Sequence, residues 1–142
     1  WKGYRLMNFK ILGIDHLGIV TNDNSTVLSN FFENILNIPL KKEIVEEQMV
    51  LTKIFNTGAG KIELLSATNQ DSTINKFLLK KGESMHHLAI LVDNIDNALE
   101  YLKENDIKLI NEKPEYGADN MKIAFVHPHS TPGILLEFCQ KI

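Results

Sequence analysis

Two stretches of this chain have the same form, and together they constrain the fold more than any local pattern does. His16-Leu17-Gly18-Ile19-Val20-Thr21-Asn22-Asp23 and His87-Leu88-Ala89-Ile90-Leu91-Val92-Asp93-Asn94 each run from a histidine through apolar residues to a polar pair. Each leads into an amphipathic helical pattern, and each is followed far downstream by a glutamate inside an apolar run, Glu63 and Glu137. The histidines are 71 residues apart and the glutamates 74. The halves align without shift from His16/His87 to Leu28/Leu99, and small length differences follow. A repeat of this size decides architecture before local preferences do. It reads as a duplicated unit that brings two histidines and two glutamates around one metal ion.

The first unit has the order strand, helix, three strands. Ile14 to Val20 is a nearly continuous apolar run with β-branched residues, which predicts a strand buried on both faces. Asn22, Asp23, Asn24 and Ser25 offer helix N-caps, since each has a side-chain oxygen for the free amides of a first turn. Val27, Leu28, Phe31, Phe32, Ile35 and Leu36 then form one apolar stripe at helical spacing, and Pro39 stops it. Lys42 to Glu46 and Met49 to Phe55 read as antiparallel strands. Asn56 to Gly60 is a turn, and Lys61 to Leu65 is the next strand. A linker over about 67–82 carries a short helix capped by Asp71 or Ser72, with Ile74, Phe77 and Leu78 on one side and Gly82 ending it.

The second unit repeats the order. His87 to Val92 predicts a strand, and Asn94 or Asp96 begins a helix with Ile95, Ala98, Leu99 and Leu102 on one face. Ile107 to Ile110, Lys122 to Val126 and Ile134 to Phe138 predict strands, with loops over Pro114 to Asn120 and His127 to Gly133. The fold expected is α+β: two βαβββ modules, about 10–66 and 83–142, forming one domain with a curved, eight-stranded mixed sheet and helices on its outer face. Concave surfaces between repeated units are where ligands sit.

Composition narrows the function classes. At 142 residues, 44% apolar and 23% charged, the chain has the profile of a single soluble globular domain. A net charge of −3 gives no basic footprint for nucleic acid and no polybasic membrane patch. No apolar run approaches the ~20 residues of a membrane helix. The single cysteine, Cys139, excludes an internal disulfide and fits a reducing, cytoplasmic setting; at the end of a strand it reads as a buried, inert thiol. Lys10 interrupts the apolar residues near the start, so no signal peptide is expected, and Met7 is a candidate natural start.

Glu63 is flanked by Ile62 and Leu64-Leu65, and Glu137 by Leu136 and Phe138. A carboxylate buried without a partner costs several kcal/mol or is driven neutral. One such glutamate in a strand ordinarily faces water, and one histidine opening a strand is ordinarily structural. Four at matched positions ask for a shared partner. A divalent cation keeps both carboxylates ionised, and neutral imidazoles of His16 and His87 complete the set. Co²⁺, Ni²⁺, Mn²⁺, Fe²⁺ and Zn²⁺ all suit it. Adjacent strand residues point to opposite faces, so of His86 and His87 only one reaches the ion, and alignment with His16 selects His87. His127-Pro128-His129-Ser130 is a second histidine pair, in a loop.

With these residues the chain resembles the vicinal oxygen chelate superfamily, which includes glyoxalase I, ring-cleaving dioxygenases and bleomycin-resistance proteins. Within it the likeness is to the methylmalonyl-CoA epimerases and runs from Ile14 to Gln140. It is carried by Ile14-Asp15-His16-Leu17-Gly18-Ile19, Glu47-Gln48, Ile62-Glu63-Leu64-Leu65, Asp71-Ser72-Thr73-Ile74 and Gly82-Glu83-Ser84-Met85-His86-His87, then Lys122-Ile123-Ala124-Phe125, His127-Pro128-His129-Ser130 and Leu136-Glu137-Phe138-Cys139-Gln140. The resemblance implies metal ligands at His16, Glu63, His87 and Glu137, Co²⁺ as the leading metal, an acyl-CoA substrate and a homodimer. It implies epimerisation of methylmalonyl-CoA through a metal-stabilised enolate, with Glu137 as one proton carrier.

The sequence departs from that pattern at several points. Met49 stands where a glycine usually follows Gln48. Thr52 stands where some epimerases carry a glutamate proposed as a base, which leaves the second proton carrier unidentified. Asp119-Asn120 replaces a common His-Gly, and Pro132 a common glycine. A glyoxalase acting on a thiol hemithioacetal would use the same ligands, and a non-catalytic small-molecule binder would share the fold.

Overall fold

The computed structural model describes residues 6–22 and 27–142. Among them the strands are β1 (Ile11–Val20), β2 (Leu40–Val45), β3 (Val50–Asn56), β4 (Lys61–Ala67), β5 (Ser84–Val92), β6 (Glu115–Gly117), β7 (Met121–Phe125) and β8 (Leu136–Lys141). The α-helices are α1 (Val27–Asn30), α2 (Thr73–Lys81) and α3 (Ile95–Glu104). Hydrogen bonds link the strands in the order β2-β3-β4-β1-β5-β8-β7-β6. β1 and β4 run parallel, while β2/β3, β3/β4, β6/β7 and β7/β8 are antiparallel. The fold is thus the expected α+β class with an eight-stranded mixed sheet. Among the described residues no helix is long and apolar enough to cross a membrane.

The chain divides into two compact units, one of residues 15–88 and the other of residues 89–142 with the segment up to Ile14. In the first, Val20 of β1, Val50 of β3, Leu65 of β4 and Ile74 of α2 form the core, with Phe77 and Leu78 packed against it. The β1/β4 register sets His16 beside Lys61 and Gly18 beside Glu63, so these four share one face. α2 is held by Ser72, whose fully buried hydroxyl accepts from the Ile74 amide at 3.2 Å and donates to the Gln48 carbonyl at 3.2 Å. One side chain therefore fixes both the start of the helix and its seat on the β2–β3 connection. In the second unit Ile95, Ala98 and Leu99 of α3 pack with Phe9, Val92, Ala124, Val126 and Phe138. Asn94 caps α3 by accepting from the Asn97 amide, and Gln140 Oε1 accepts from the Ile95 amide at 2.7 Å.

Several local expectations are corrected. β1 begins at Ile11, three residues earlier than expected, and its first residues, Ile11, Leu12 and Ile14, are exposed rather than buried on both faces. Of the proposed N-caps, Asp23, Asn24 and Ser25 lie outside the described residues. The apolar stripe after them is largely exposed, at Val27, Phe31, Ile35 and Leu36, while the Phe32 ring meets buried Phe55 with centroids 5.5 Å apart. The cause is a π-helical turn over Phe31–Ile35, closed by the Leu36 amide on the Phe31 carbonyl. Five-residue bonding breaks the 3.6-residue phase on which the stripe depended.

Ile107 to Ile110 forms no strand and makes only a single bridge, Leu109 to Val126. Its Lys108 amide is taken by Ser130 Oγ, and Ile107 and Leu109 pack on the core as loop residues. The sixth strand instead lies within Pro114 to Asn120, where β6 pairs with β7 through a turn in which Asp119 and Asn120 both take positive φ. Asp and Asn tolerate that region because their short side chains bond locally.

The double role of Ser72 has a measurable consequence. Ser72→Ala should lower the urea unfolding free energy by about 1–3 kcal/mol, the usual cost of losing a cap together with a buried hydrogen bond. A change below about 0.5 kcal/mol would contradict the assignment.

Candidate metal centre

All four sequence-selected residues are buried. His16 is 5% exposed, Glu63 4%, His87 7% and Glu137 3%, so neither glutamate is the solvated strand residue that a lone example would be. The unit of residues 15–88 brings three of them together, His16 on β1, Glu63 on β4 and His87 on β5. Glu137 lies on β8 of the other unit, opposite Phe125 in the β7/β8 register.

The two imidazoles meet through their outer nitrogens, His16 Nε2 to His87 Nε2 at 2.9 Å, with ring planes at 89°. This approach requires Gly18. A Cβ at position 18 would lie 2.2 Å from His87 Cε1, so any side chain there would expel the ring. The glycine shares a face with His16, two residues away, and forms the floor over which His87 sits.

The far side of His16 is held by two carboxylates. His16 Nδ1 lies 2.7 Å from Asp15 Oδ2 and 3.3 Å from Glu63 Oε2. A carboxylate only accepts, so Nδ1 carries a proton, and Nε2 is the nitrogen that faces His87. Asp15 is itself buried and pairs with Lys61 Nζ at 3.1 Å. Burial pushes the Asp15 carboxyl up, but the His16 hydrogen bond and the Lys61 charge outweigh it and hold its pKa below the ordinary value. Metal-ligating histidines typically donate their other N–H to a carboxylate or carbonyl, and Asp15 offers His16 a partner of that kind. Donor atoms of Asp15, His16 and Glu63 lie within 4.8 Å of one another.

His87 is pushed down to about 2 by burial first and by repulsion from His16 and His86 second. Its imidazole is therefore neutral, the form that ligates a cation. Its inner nitrogen, Nδ1, lies 2.9 Å from His86 Nδ1, and the His86 ring sits edge-on to Phe77 of α2 at 4.8 Å. Two buried imidazoles converging on one point, with carboxylates behind His16, fit a divalent cation of the borderline class.

Sequence reasoning missed two contributors. Asp15 is an acid inside an apolar run immediately before the ligand histidine, a signal that was available. His86 was set aside because neighbouring strand residues diverge, yet its ring turns back to its neighbour's inner nitrogen.

Comparison with known proteins agrees with this geometry. Residues 15–125 match the family model for the glyoxalase/bleomycin resistance protein/dioxygenase superfamily. The chain is 38% identical over 128 residues to the uncharacterized protein YqjC of Bacillus subtilis, covering 89% of this chain and 91% of that one. It is 34% identical over 129 residues to the mitochondrial methylmalonyl-CoA epimerase of Homo sapiens, covering 89% of this chain and 73% of the relative. A crystal structure of methylmalonyl-CoA epimerase from Mycobacterium tuberculosis superposes with a TM-score of 0.87 at 27% identity, over 98% of this chain and 94% of that one. The chain belongs to the glyoxalase/bleomycin resistance protein/dioxygenase superfamily. Within that superfamily, proteins named as methylmalonyl-CoA epimerases are among its relatives in both sequence and structure.

The depressed His87 pKa makes stability depend on pH. In the unfolded chain the group returns to about 6.5, so below that pH the unfolded state binds a proton that the folded state refuses. The His87 contribution is fully present above pH ~6.5 and falls by about 1.4 kcal/mol per unit as pH drops toward the folded value. In EDTA-treated protein, urea midpoints from pH ~8 to ~5 should decline less steeply for His87→Asn than for the parent. Parallel declines would contradict the burial of this ring.

Proposed function

We propose that this protein is a metal-dependent epimerase that interconverts (R)- and (S)-methylmalonyl-CoA, with His16, Glu63, His87 and Glu137 as ligands of a divalent cation, Co²⁺ foremost. The observation that carries the reading is the 2.9 Å approach of two buried imidazole nitrogens over Gly18. The similarity to methylmalonyl-CoA epimerases supplies the substrate.

Epimerisation removes the proton from the carbon between thioester and carboxylate and returns one to the opposite face. When bound, the cation supplies Lewis-acid stabilisation of the negative charge that develops on the thioester oxygen. The chain's own residues do the rest. Asp15, neutralised by Lys61, holds His16 as the Nδ1–H tautomer, so its Nε2 faces inward. Gly18 leaves the space that His87 occupies. Burial keeps both imidazoles out of water and makes His87 a weak base, so it does not compete for the substrate proton. Glu137, a buried carboxylate on β8, is the proton carrier on one face. Thr52, 1% exposed on β3, has no group that titrates near neutrality, so the opposite face uses a carrier other than that residue.

The test is proton–deuterium exchange at C2 of methylmalonyl-CoA in D₂O, with and without chelator. Exchange should require the cation, and Glu137→Gln should slow it by at least about 100-fold. Full exchange by Glu137→Gln rejects that assignment. Activity on a glutathione hemithioacetal without methylmalonyl-CoA exchange would replace the epimerase with a glyoxalase.

Gly18→Ala gives an independent check. The added methyl should displace His87, and the purified variant should lose most of its bound metal and its activity while keeping a native far-UV spectrum. Retention of stoichiometric metal would contradict the role assigned to the glycine.

A further inference from the structure

We propose that His86 is a positioning residue for His87, holding its ring through Nδ1. The inference rests on the metal reading above and adds a residue to it.

The contact is direct. His87 Nε2 faces His16 Nε2 at 2.9 Å, and His87 Nδ1 lies 2.9 Å from His86 Nδ1, so each ring nitrogen of His87 meets another imidazole. A cation held on Nε2 leaves Nδ1 as the atom through which the ring can be held from behind, and His86 is placed there.

The placement of His86 supports the role. Consecutive residues of β5 would ordinarily send their rings to opposite faces. Here the His86 ring stays within hydrogen-bond distance of its neighbour, wedged edge-on against Phe77 of α2 at 77°. Gly18 limits His87 from one side and His86 holds it from another, so the ring is located before a cation arrives. Partners of this kind are worth about 10–100-fold in metal affinity.

The experiment compares the parent, His86→Leu and His86→Asn. Leucine fills the space against Phe77 without a polar atom; asparagine puts an amide, which can donate or accept, near the position of Nδ1. Calorimetric titration with Co²⁺ should show His86→Leu weakened by about 10–100-fold and His86→Asn restored to within a few-fold of the parent. The visible absorption of the bound Co²⁺ should shift in His86→Leu only. Long-range ¹H–¹⁵N spectra of the EDTA-treated protein should show the His87 ring nitrogens shifted in His86→Leu and returned toward the parent in His86→Asn. Parent-like affinity and spectrum in His86→Leu, or no recovery in His86→Asn, overturns the proposal. A parent that does not bind Co²⁺ refutes the metal reading, and unchanged His87 ring resonances in EDTA-treated His86→Leu would then overturn the His86–His87 contact as well.

Discussion

The close approach of His16 and His87 above Gly18 is the constraint on which the centre depends. Two imidazoles at 2.9 Å cannot both point lone pairs at each other in a dry site, so a hydrogen or a cation must lie between them. The approach exists because position 18 has no side chain, and His16 and Gly18 fall on the same strand face two residues apart. The parallel register of β1 on β4 then puts Gly18 opposite Glu63 and His16 opposite Lys61. A slip of one residue in that pairing would turn Glu63 to the other face.

Around this contact the electrostatics are arranged from the outside in. Lys61 meets Asp15, Asp15 holds His16, and Glu63 lies against the same nitrogen. Both carboxylates are buried, and a buried carboxylate stays ionised only where such partners face it. His86 extends the support to His87 and ties it, through Phe77, to the helix that Ser72 caps. The centre is thus attached to the same elements that form the core of its unit, Ile74 and Phe77 of α2 among them.

Much of this was legible because it is periodic. The repeated histidine-plus-apolar stretch located the strands of both buried histidines, and the glutamates stood out by breaking apolar runs. Duplication is a long-range statement written in one dimension, so it survives reading without coordinates. The failures share a cause. The stripe from Val27 to Leu36 assumes an unbroken 3.6-residue phase, and the π turn at Phe31–Ile35 removes it. Ile107 to Ile110 has strand composition, but its amides find Ser130 and Phe125 rather than a ladder. β6 has no apolar pattern at all and exists because Asp119 and Asn120 can turn the chain back on β7.

What the sequence determined alone is the repeat, the α+β class and the identity of His16, His87 and Glu63 as buried polar residues, because each depends on order and hydropathy along the chain. What only the tertiary structure decided is which nitrogen faces which partner. Asp15 on His16 Nδ1, His86 on His87 Nδ1 and the vacant Cβ position of Gly18 are matters of ångströms and ring rotation, set by packing between strands distant in sequence. Hydropathy records whether a side chain is buried; it does not record the direction in which a buried imidazole turns.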